Sequence, residues 1–116
     1  MTSFYVLDPE AKADLREVVR YTRKQWGAAQ IRTYKDQLKQ CMDALAKGTG
    51  FYTDLSAIHP NLRTVRCQEH HIFMLTKKDD PAVVLAIFHK RMNMMVRLKK
   101  RLATKNQKGM TGRSPT

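Results

Sequence analysis

Apolar residues recur at helical spacing near the start of the chain. The run from Phe4 to Leu7 is β-prone, and Asp8-Pro9-Glu10 then supplies an N-cap acid, a first-turn proline and a second acid. These signals predict a strand that leads directly into a helix. The apolar stripe of that helix contains one polar member and consists of Ala11, Leu15, Val18, Val19, Thr22 and Trp26. Gly27 ends the helix.

A second stripe at the same spacing predicts a second helix that ends at Lys47-Gly48. Its members are Ile31, Tyr34, Leu38, Cys41, Met42 and Leu45. Because the connection at Gly27 is short, the two helices are expected to form an antiparallel hairpin. Residues 48–61 contain turn formers without periodicity and are interpreted as a connecting loop.

The period changes in the second half of the chain, which predicts strands. Residues 64–67 alternate in polarity, residues 71–76 are typical of a returning strand, and residues 82–88 are apolar at every position. Such a continuous apolar run is typical of an interior strand covered on both faces. The order β-α-α-β-β-β therefore predicts an α+β fold, with the helical hairpin packed on a small, mainly antiparallel sheet.

The C-terminal end is predicted to be a short basic helix followed by a flexible tail. Met92, Met95, Leu98 and Leu102 share one helical face. Since the residues after Thr104 are mainly polar, basic and small, we expect one domain over residues 1–103 and a basic flexible tail over residues 104–116.

The net charge of +12 is concentrated in the second half of the chain. Residues 1–60 carry nine Lys/Arg and seven Asp/Glu, an excess of +2, whereas residues 61–116 carry thirteen and three, an excess of +10. From His89 onward there are nine basic residues and no acid. This distribution favours binding to nucleic acid, an acidic protein or another anionic surface.

Several classes of function lack support in the sequence. No apolar run spans a membrane and the start does not resemble a signal peptide, so a cytoplasmic protein without a membrane partner is expected. Cys41 and Cys67 are interpreted as buried small hydrophobes, too isolated for a disulfide framework or a metal site. His70 and His71 are adjacent strand residues that point to opposite faces, so no metal or cofactor is predicted.

Four stretches together resemble the toxins of the RelE/ParE superfamily, and within it the ParE, or plasmid-stabilisation, branch. They are residues 5–15, 21–27, 60–66 and 87–92. The resemblance implies a toxin of a type II toxin–antitoxin system that inhibits DNA gyrase by non-covalent binding and is neutralised by a cognate antitoxin. The sequence departs from the family at Asn93, where many relatives carry an acid, and in its longer basic end.

The resemblance also implies an alternative, since RelE-like members cut mRNA on the ribosome without a metal. Such an enzyme needs proton-transfer groups and cations around the scissile phosphate. The candidate catalytic residues are His59, Arg63, Arg66 and His89. Because the loop of residues 48–61 contains no Lys or Arg, a non-enzymatic toxin is favoured. A third reading is a non-toxic basic module that binds nucleic acid.

The target is expected to contact the end of the last strand and the basic helix. This surface would bind gyrase alone or gyrase together with its bound DNA. The predicted target-binding residues are His89, Lys90, Arg91, Arg97, Lys100 and Arg101. His89 also has a purely structural interpretation, in which its ring bonds a neighbouring backbone group and positions the helix that follows.

An acidic, ParD-like antitoxin is the expected partner in a hetero-oligomer, because a strongly cationic protein attracts an anionic chain. The predicted antitoxin-binding residues are Leu15, Val19, Trp26, Tyr34 and Leu38. Burial of the two helical stripes against the sheet is the simpler explanation of the same pattern, and it leaves Trp26 and Tyr34 as candidate anchors at the margins.

Overall fold

The structure is a computed structural model and describes residues 4–112, with the backbone alone from residue 105 onward. Its elements follow the predicted order and confirm the α+β class. They are β1 (Tyr5–Leu7), α1 (Pro9–Trp26), α2 (Ala29–Lys47), β2 (Thr53–Asp54), β3 (Leu62–Cys67), β4 (His70–Lys77), β5 (Asp80–His89) and α3 (Met94–Gly112).

The five strands form one mixed sheet in the order β1-β5-β4-β3-β2. β1 pairs with β5 in parallel, through Tyr5 opposite Ala82, and every other pair is antiparallel. The apolar run of β5 therefore lies between two strands, as its composition predicts. At the end of β5, His89 lies opposite His70, and this places two histidines side by side on the sheet.

The hairpin of α1 and α2 covers one face of the sheet. Thr22, the polar member of the first stripe, is buried there because its hydroxyl donates to the carbonyl of Val18 at 2.8 Å. Gly48 ends α2 in the left-handed conformation, at φ 75°. The fully or nearly fully buried residues of this core include Ala11, Val18, Leu38, Met42, Leu45, Ile72, Met74 and Val84.

α3 covers the opposite face of the sheet. Leu98 and Leu102 pack there in a second core whose central rings, Phe73 and Phe88, have centroids 5.8 Å apart. Because the hairpin and α3 bury the two faces of β5, the strand is apolar and buried from Ala82 to Phe88.

Two segments differ from the sequence-based expectation. The predicted loop of residues 48–61 contains β2, whose Thr53 and Asp54 pair with Thr64 and Arg63. A two-residue strand is too short to display an alternating pattern. The last helix does not end near Leu102 but continues to Gly112, since no proline interrupts it. Whether residues 104–116 behave as a flexible tail stays a prediction, and residues 113–116 lie outside the described part.

The interpretation of the two cysteines was wrong, because Cys41 and Cys67 form a disulfide. Cys41 lies on the sheet-facing side of α2, and Cys67 is the last residue of β3. Packing of the hairpin on the sheet brings their Cα atoms to 6.3 Å, within the range that a disulfide spans. A separation of 26 residues gives no sign of this contact in the sequence.

None of the helices in the described residues combines the length and the apolarity that crossing a bilayer requires.

Reduction of the disulfide is expected to destabilise the protein. The bond closes a loop with a sequence separation of 26 residues, so chain entropy predicts a loss of roughly 3.5 kcal/mol in the free energy of unfolding. Urea unfolding with and without a phosphine reductant measures this loss. The double variant Cys41→Ala/Cys67→Ala serves as the control, since its stability should not respond to reductant. An equal midpoint for oxidised and reduced wild-type protein would contradict the expectation.

Candidate target-binding site at the end of the last strand

The chain leaves the sheet at His89 through a tight turn that aims α3 across the opposite face. The backbone N–H of Met92 donates to the carbonyl of His89 at 2.9 Å, and that of Arg97 donates to the carbonyl of Asn93 at 3.2 Å as α3 begins. The N–H of Lys90 bonds the carbonyl of Glu69 at 2.8 Å. The turn is thus tied to the β3–β4 connection, which gives the basic segment a rigid support.

Four of the six predicted target-binding residues lie at the surface: Lys90, Arg91, Arg97 and Lys100. Lys90 also forms an ion pair of 2.8 Å with Glu69, in which each side chain is about one third exposed (35% and 32%). Within the predicted set, Arg91, Arg97 and Lys100 are therefore the cations most available to a partner.

Arg101 departs from the predicted set because its guanidinium points into the protein. Its Nη1 lies 2.5 Å from Oδ2 of Asp14 and donates to the carbonyl of Leu85 at 3.1 Å. Its Nε lies 3.4 Å from Glu10, and its Cζ lies 4.9 Å from the ring centroid of Phe88. With both side chains of the Asp14–Arg101 pair 15% exposed, the arginine fastens α3 to α1 and β5 and offers little surface to a target.

Asp14 completes this contact from the other side. Its Oδ2 accepts a hydrogen bond of 2.9 Å from the backbone N–H of Ile87, next to the Arg101 contact. Asp14 was not predicted from the sequence, because an acid on a charged helix has no distinguishing pattern. Its partner lies 87 positions away, so no local spacing links them.

A cluster of two histidines and two tyrosines underlies the end of β5. The hydroxyl oxygen of Tyr34 in α2 accepts a hydrogen bond of 3.0 Å from the backbone N–H of Glu69. The hydroxyl proton is therefore free to form a hydrogen bond of 2.6 Å with Nδ1 of His70. The ring centroids of His70 and His89 are 5.2 Å apart, and Tyr21 of α1 lies 4.6 Å from His89. The rings meet edge to face, which joins both helices to the sheet.

Burial disfavours the charged forms of these histidines. It lowers the pKa of His70 to about 4, and the nearby His89 adds to the effect. Burial also lowers the pKa of His89, with smaller opposing and supporting effects from Glu69 and Arg91. Both rings are therefore neutral at pH 7.

The structural interpretation of His89 is the one that its contacts support directly. Its Nδ1 accepts a hydrogen bond of 3.1 Å from the backbone N–H of Arg91. The proton of the neutral ring therefore resides on Nε2. In the described part of the chain, that Nε2 is buried and has no hydrogen-bond partner. His89 thus holds the turn into α3. It also lines a cavity of about 390 Å³ with Tyr21, Met92 and Arg97.

The four candidate nuclease residues do not converge. Arg63 donates to the carbonyl of Leu45 at 2.9 Å and stacks on Tyr52, so it caps the end of α2. Arg66 lies three positions along β3 and points to the opposite face, where it bonds the carbonyl of Gln68. His59 bonds the carbonyl of Pro60 in the connection before β3, and His89 lies at the other end of the sheet, opposite His70 at the start of β4.

Some of the predicted antitoxin-binding residues lie in the core between the hairpin and the sheet, and others lie at the edge of the hairpin. Leu38 is fully buried, so it has no surface for a partner, and Leu15 and Val19 are half-buried. Trp26 is 63% exposed and lines a groove of about 330 Å³ together with Tyr34. The structure thus brings the two proposed anchors together at the tip of the hairpin and corrects the set by removing Leu38.

No group of three or more His, Cys, Asp or Glu residues in the described part of the chain has an arrangement suited to a metal ion. His70 faces the hairpin, whereas His71 lies opposite Phe88 on the other face, as the strand period predicts.

Comparisons with known proteins identify relatives over most of the chain. A family model described as the ParE toxin of the type II toxin–antitoxin system parDE matches residues 5–94. Toxin ParE of Escherichia coli is 49% identical over 98 residues, which cover 84% of this chain and 95% of that protein. Toxin ParE1 of Mycobacterium tuberculosis is 28% identical over 94 residues, covering 81% of this chain and 96% of its own. The family match ends at the first residue of α3.

Removal of the Asp14 carboxylate is expected to loosen α3. Asp14→Ala leaves Arg101 largely buried without its main counter-charge, and loss of one partner of such a pair costs about 3 kcal/mol in the free energy of unfolding. Urea unfolding measures the change. Glu17→Ala on the same helix is the control, because Glu17 pairs with Arg20 at the surface and its loss should cost less than about 1 kcal/mol. Equal stability of the two variants would contradict the assigned role.

Stability is expected to fall in mild acid. His70 has a pKa of about 4 in the folded protein and 6.5 as its ordinary value. The unfolded chain therefore binds more protons between those values, and stability is full above pH 6.5 and declines as the pH falls toward 4. For His70 alone, the loss between pH 7 and pH 5 is about 2 kcal/mol.

The variant His70→Gln tests this assignment, because glutamine still accepts a hydrogen bond and does not titrate. Its stability should change less than that of the wild type when urea unfolding is compared at pH 7 and pH 5. The same pH dependence in both proteins would assign the effect to other groups.

Proposed function

Because this chain belongs to the ParE toxin family of type II toxin–antitoxin systems, we propose that it inhibits DNA gyrase by non-covalent binding. Membership implies a cognate antitoxin that neutralises it. The proposed binding surface, here called the exit surface, consists of the exposed cations Arg91, Arg97 and Lys100, with Lys90 at its edge. A gyrase target places the action of the toxin in the cytoplasm.

The observation that carries this proposal is the rigid attachment of the exit surface. Asp14 and Arg101 fasten α3 to the hairpin and to β5, and the turn at His89 is closed by bonds on both sides. A cationic helix held in this way presents its charges at defined positions, which favours specific docking over loose attraction.

Binding rather than RNA cleavage is supported by the dispersal of the candidate catalytic groups. Arg63 is engaged with the end of α2, and Arg66 points to the other face of the sheet. A cleavage site needs its acid, base and cations within contact distance of one phosphate. The arrangement therefore favours a toxin that acts by occupying its target.

For the antitoxin, we propose the groove at the tip of the hairpin as one contact. Trp26 is the exposed anchor, and the Tyr34 ring lies beside it with its hydroxyl already bonded. An acidic antitoxin is also attracted by the net charge of +12. Neutralisation would follow if the antitoxin chain continues from this groove to the exit surface.

Purified protein is expected to inhibit supercoiling of relaxed plasmid by a bacterial DNA gyrase, or to increase the amount of cleaved plasmid. The variant Arg97→Gln/Lys100→Gln removes two exposed charges from the exit surface. It should need roughly tenfold more protein for half-maximal effect, since two charge-assisted contacts are lost. Gel analysis of plasmid topoisomers measures both effects.

The matched control is Lys77→Gln/Lys78→Gln at the end of β4 and the start of the β4–β5 connection, which removes the same charge at exposed positions and should retain the wild-type effect. Wild-type protein without any effect on gyrase at saturation would refute the proposal. Codon-phased cuts in cellular transcripts after induction would then identify mRNA cleavage as the activity.

A further inference from the structure

The solvent side of the helical hairpin carries a second cationic surface, separate from the exit surface. A groove of about 480 Å³ runs between the end of α1 and the start of α2. We call it the hairpin groove, and its lining residues are Arg23, Ala28, Ile31, Arg32, Lys35 and Asp36. Cations from both helices thus line the hairpin groove.

Helical spacing extends both cationic rows along the hairpin. On α1, Lys12 and Arg16 precede Arg23 by eleven and seven positions, so all three share one flank. On α2, Lys39 follows Lys35 by four positions and continues the second row. All of these side chains are exposed. The groove is therefore bordered by two rows of positive charge.

The hairpin is more cationic on this side than its composition suggests. Asp14 and Glu10 are directed at Arg101, and Glu17 is paired with Arg20. Among the lining residues of the groove, Asp36 is the acid that remains. Within the described part of the chain, none of the three lining cations has a carboxylate oxygen within 4.0 Å.

The groove offers little to an apolar partner. Ala28 is small and Ile31 is half-buried, and Trp26 is the only large hydrophobic of the described hairpin that is exposed. Protein partners derive most of their binding energy from a few anchor side chains seated in apolar pockets. Phosphate contacts need no such anchor, because Lys and Arg bind phosphate oxygens at an open surface.

We propose that the hairpin groove binds the phosphate backbone of duplex DNA. From Lys12 to Arg23 the first row spans about 16 Å at 1.5 Å per residue, which is close to the rise of four to five phosphates along one strand. The axes of packed helices lie roughly 8–10 Å apart, and the long Lys and Arg side chains extend beyond this, so the two rows can reach phosphates on either side of a DNA groove about 6 or 12 Å wide. Binding of this kind is independent of base sequence.

The proposal does not depend on gyrase as the target. It assigns DNA binding to the hairpin, on the side of the sheet away from α3, so the two cationic surfaces act separately. Absence of gyrase inhibition would not contradict DNA binding by the hairpin groove, and absence of DNA binding would not contradict target binding by the exit surface.

The test uses the full chain and a fluorescently labelled duplex of about 20 base pairs, with anisotropy measured between 50 and 200 mM salt. The triple variant Arg23→Gln/Arg32→Gln/Lys35→Gln is expected to bind at least roughly tenfold more weakly at 50 mM salt. The slope of log K against log salt should decrease by about 2.7, because three phosphate contacts contribute about 0.9 each. Unchanged thermal unfolding shows that the variant is folded.

A second triple variant, Lys77→Gln/Lys78→Gln/Lys99→Gln, removes the same charge from exposed positions at the end of β4, in the β4–β5 connection and on α3. It should keep the wild-type salt slope within about one unit. Wild-type affinity in the hairpin variant, or an equal loss in the second variant, would overturn the proposal. Displacement of the duplex by polyglutamate as readily as by unlabelled duplex would also overturn it and assign the groove to an acidic protein.

Discussion

The largely buried ion pair between Asp14 and Arg101 is the contact on which the arrangement of the three layers depends. One carboxylate receives the guanidinium of α3 and the backbone N–H of Ile87, so it joins α1, β5 and α3 at a single point. The guanidinium in turn bonds the carbonyl of Leu85 and lies over the ring of Phe88. Charged groups at 15% exposure are tolerated because each is bonded on more than one side.

This pair also redistributes the charge of the surface. An arginine that belongs by sequence to the basic end is neutralised inside, together with acids that belong by sequence to the first helix. The exit surface keeps the cations that point outward. Because acids of α1 are directed at Arg101, the solvent side of the hairpin carries more net positive charge than the composition of the two helices indicates. Charge counted along a chain and charge presented by a fold are different quantities, and internal pairs account for the difference.

Regular periodicity made most of the fold predictable. The hairpin, β3, β4 and β5 were found because their apolar residues repeat over four or more positions, and the four family stretches placed them in order. Features that depend on distant partners were not found. The Cys41–Cys67 bond, the Tyr34–His70 hydrogen bond and the Asp14–Arg101 pair each join residues far apart in sequence, and β2 is too short to show a pattern. In the candidate site, exposure could be inferred for most cations, but the inward turn of Arg101 could not.

Arg63 stabilises the C-terminal end of α2. Its guanidinium bonds the last turn of α2 at Leu45 and packs within 3.3 Å of the space that a side chain at Gly48 would fill. An arginine employed as a helix cap is not available to a substrate. Any reaction on this face that required Arg63 would first have to release it from the last turn of α2, so the contact that stabilises the helix end also withholds this cation from a substrate.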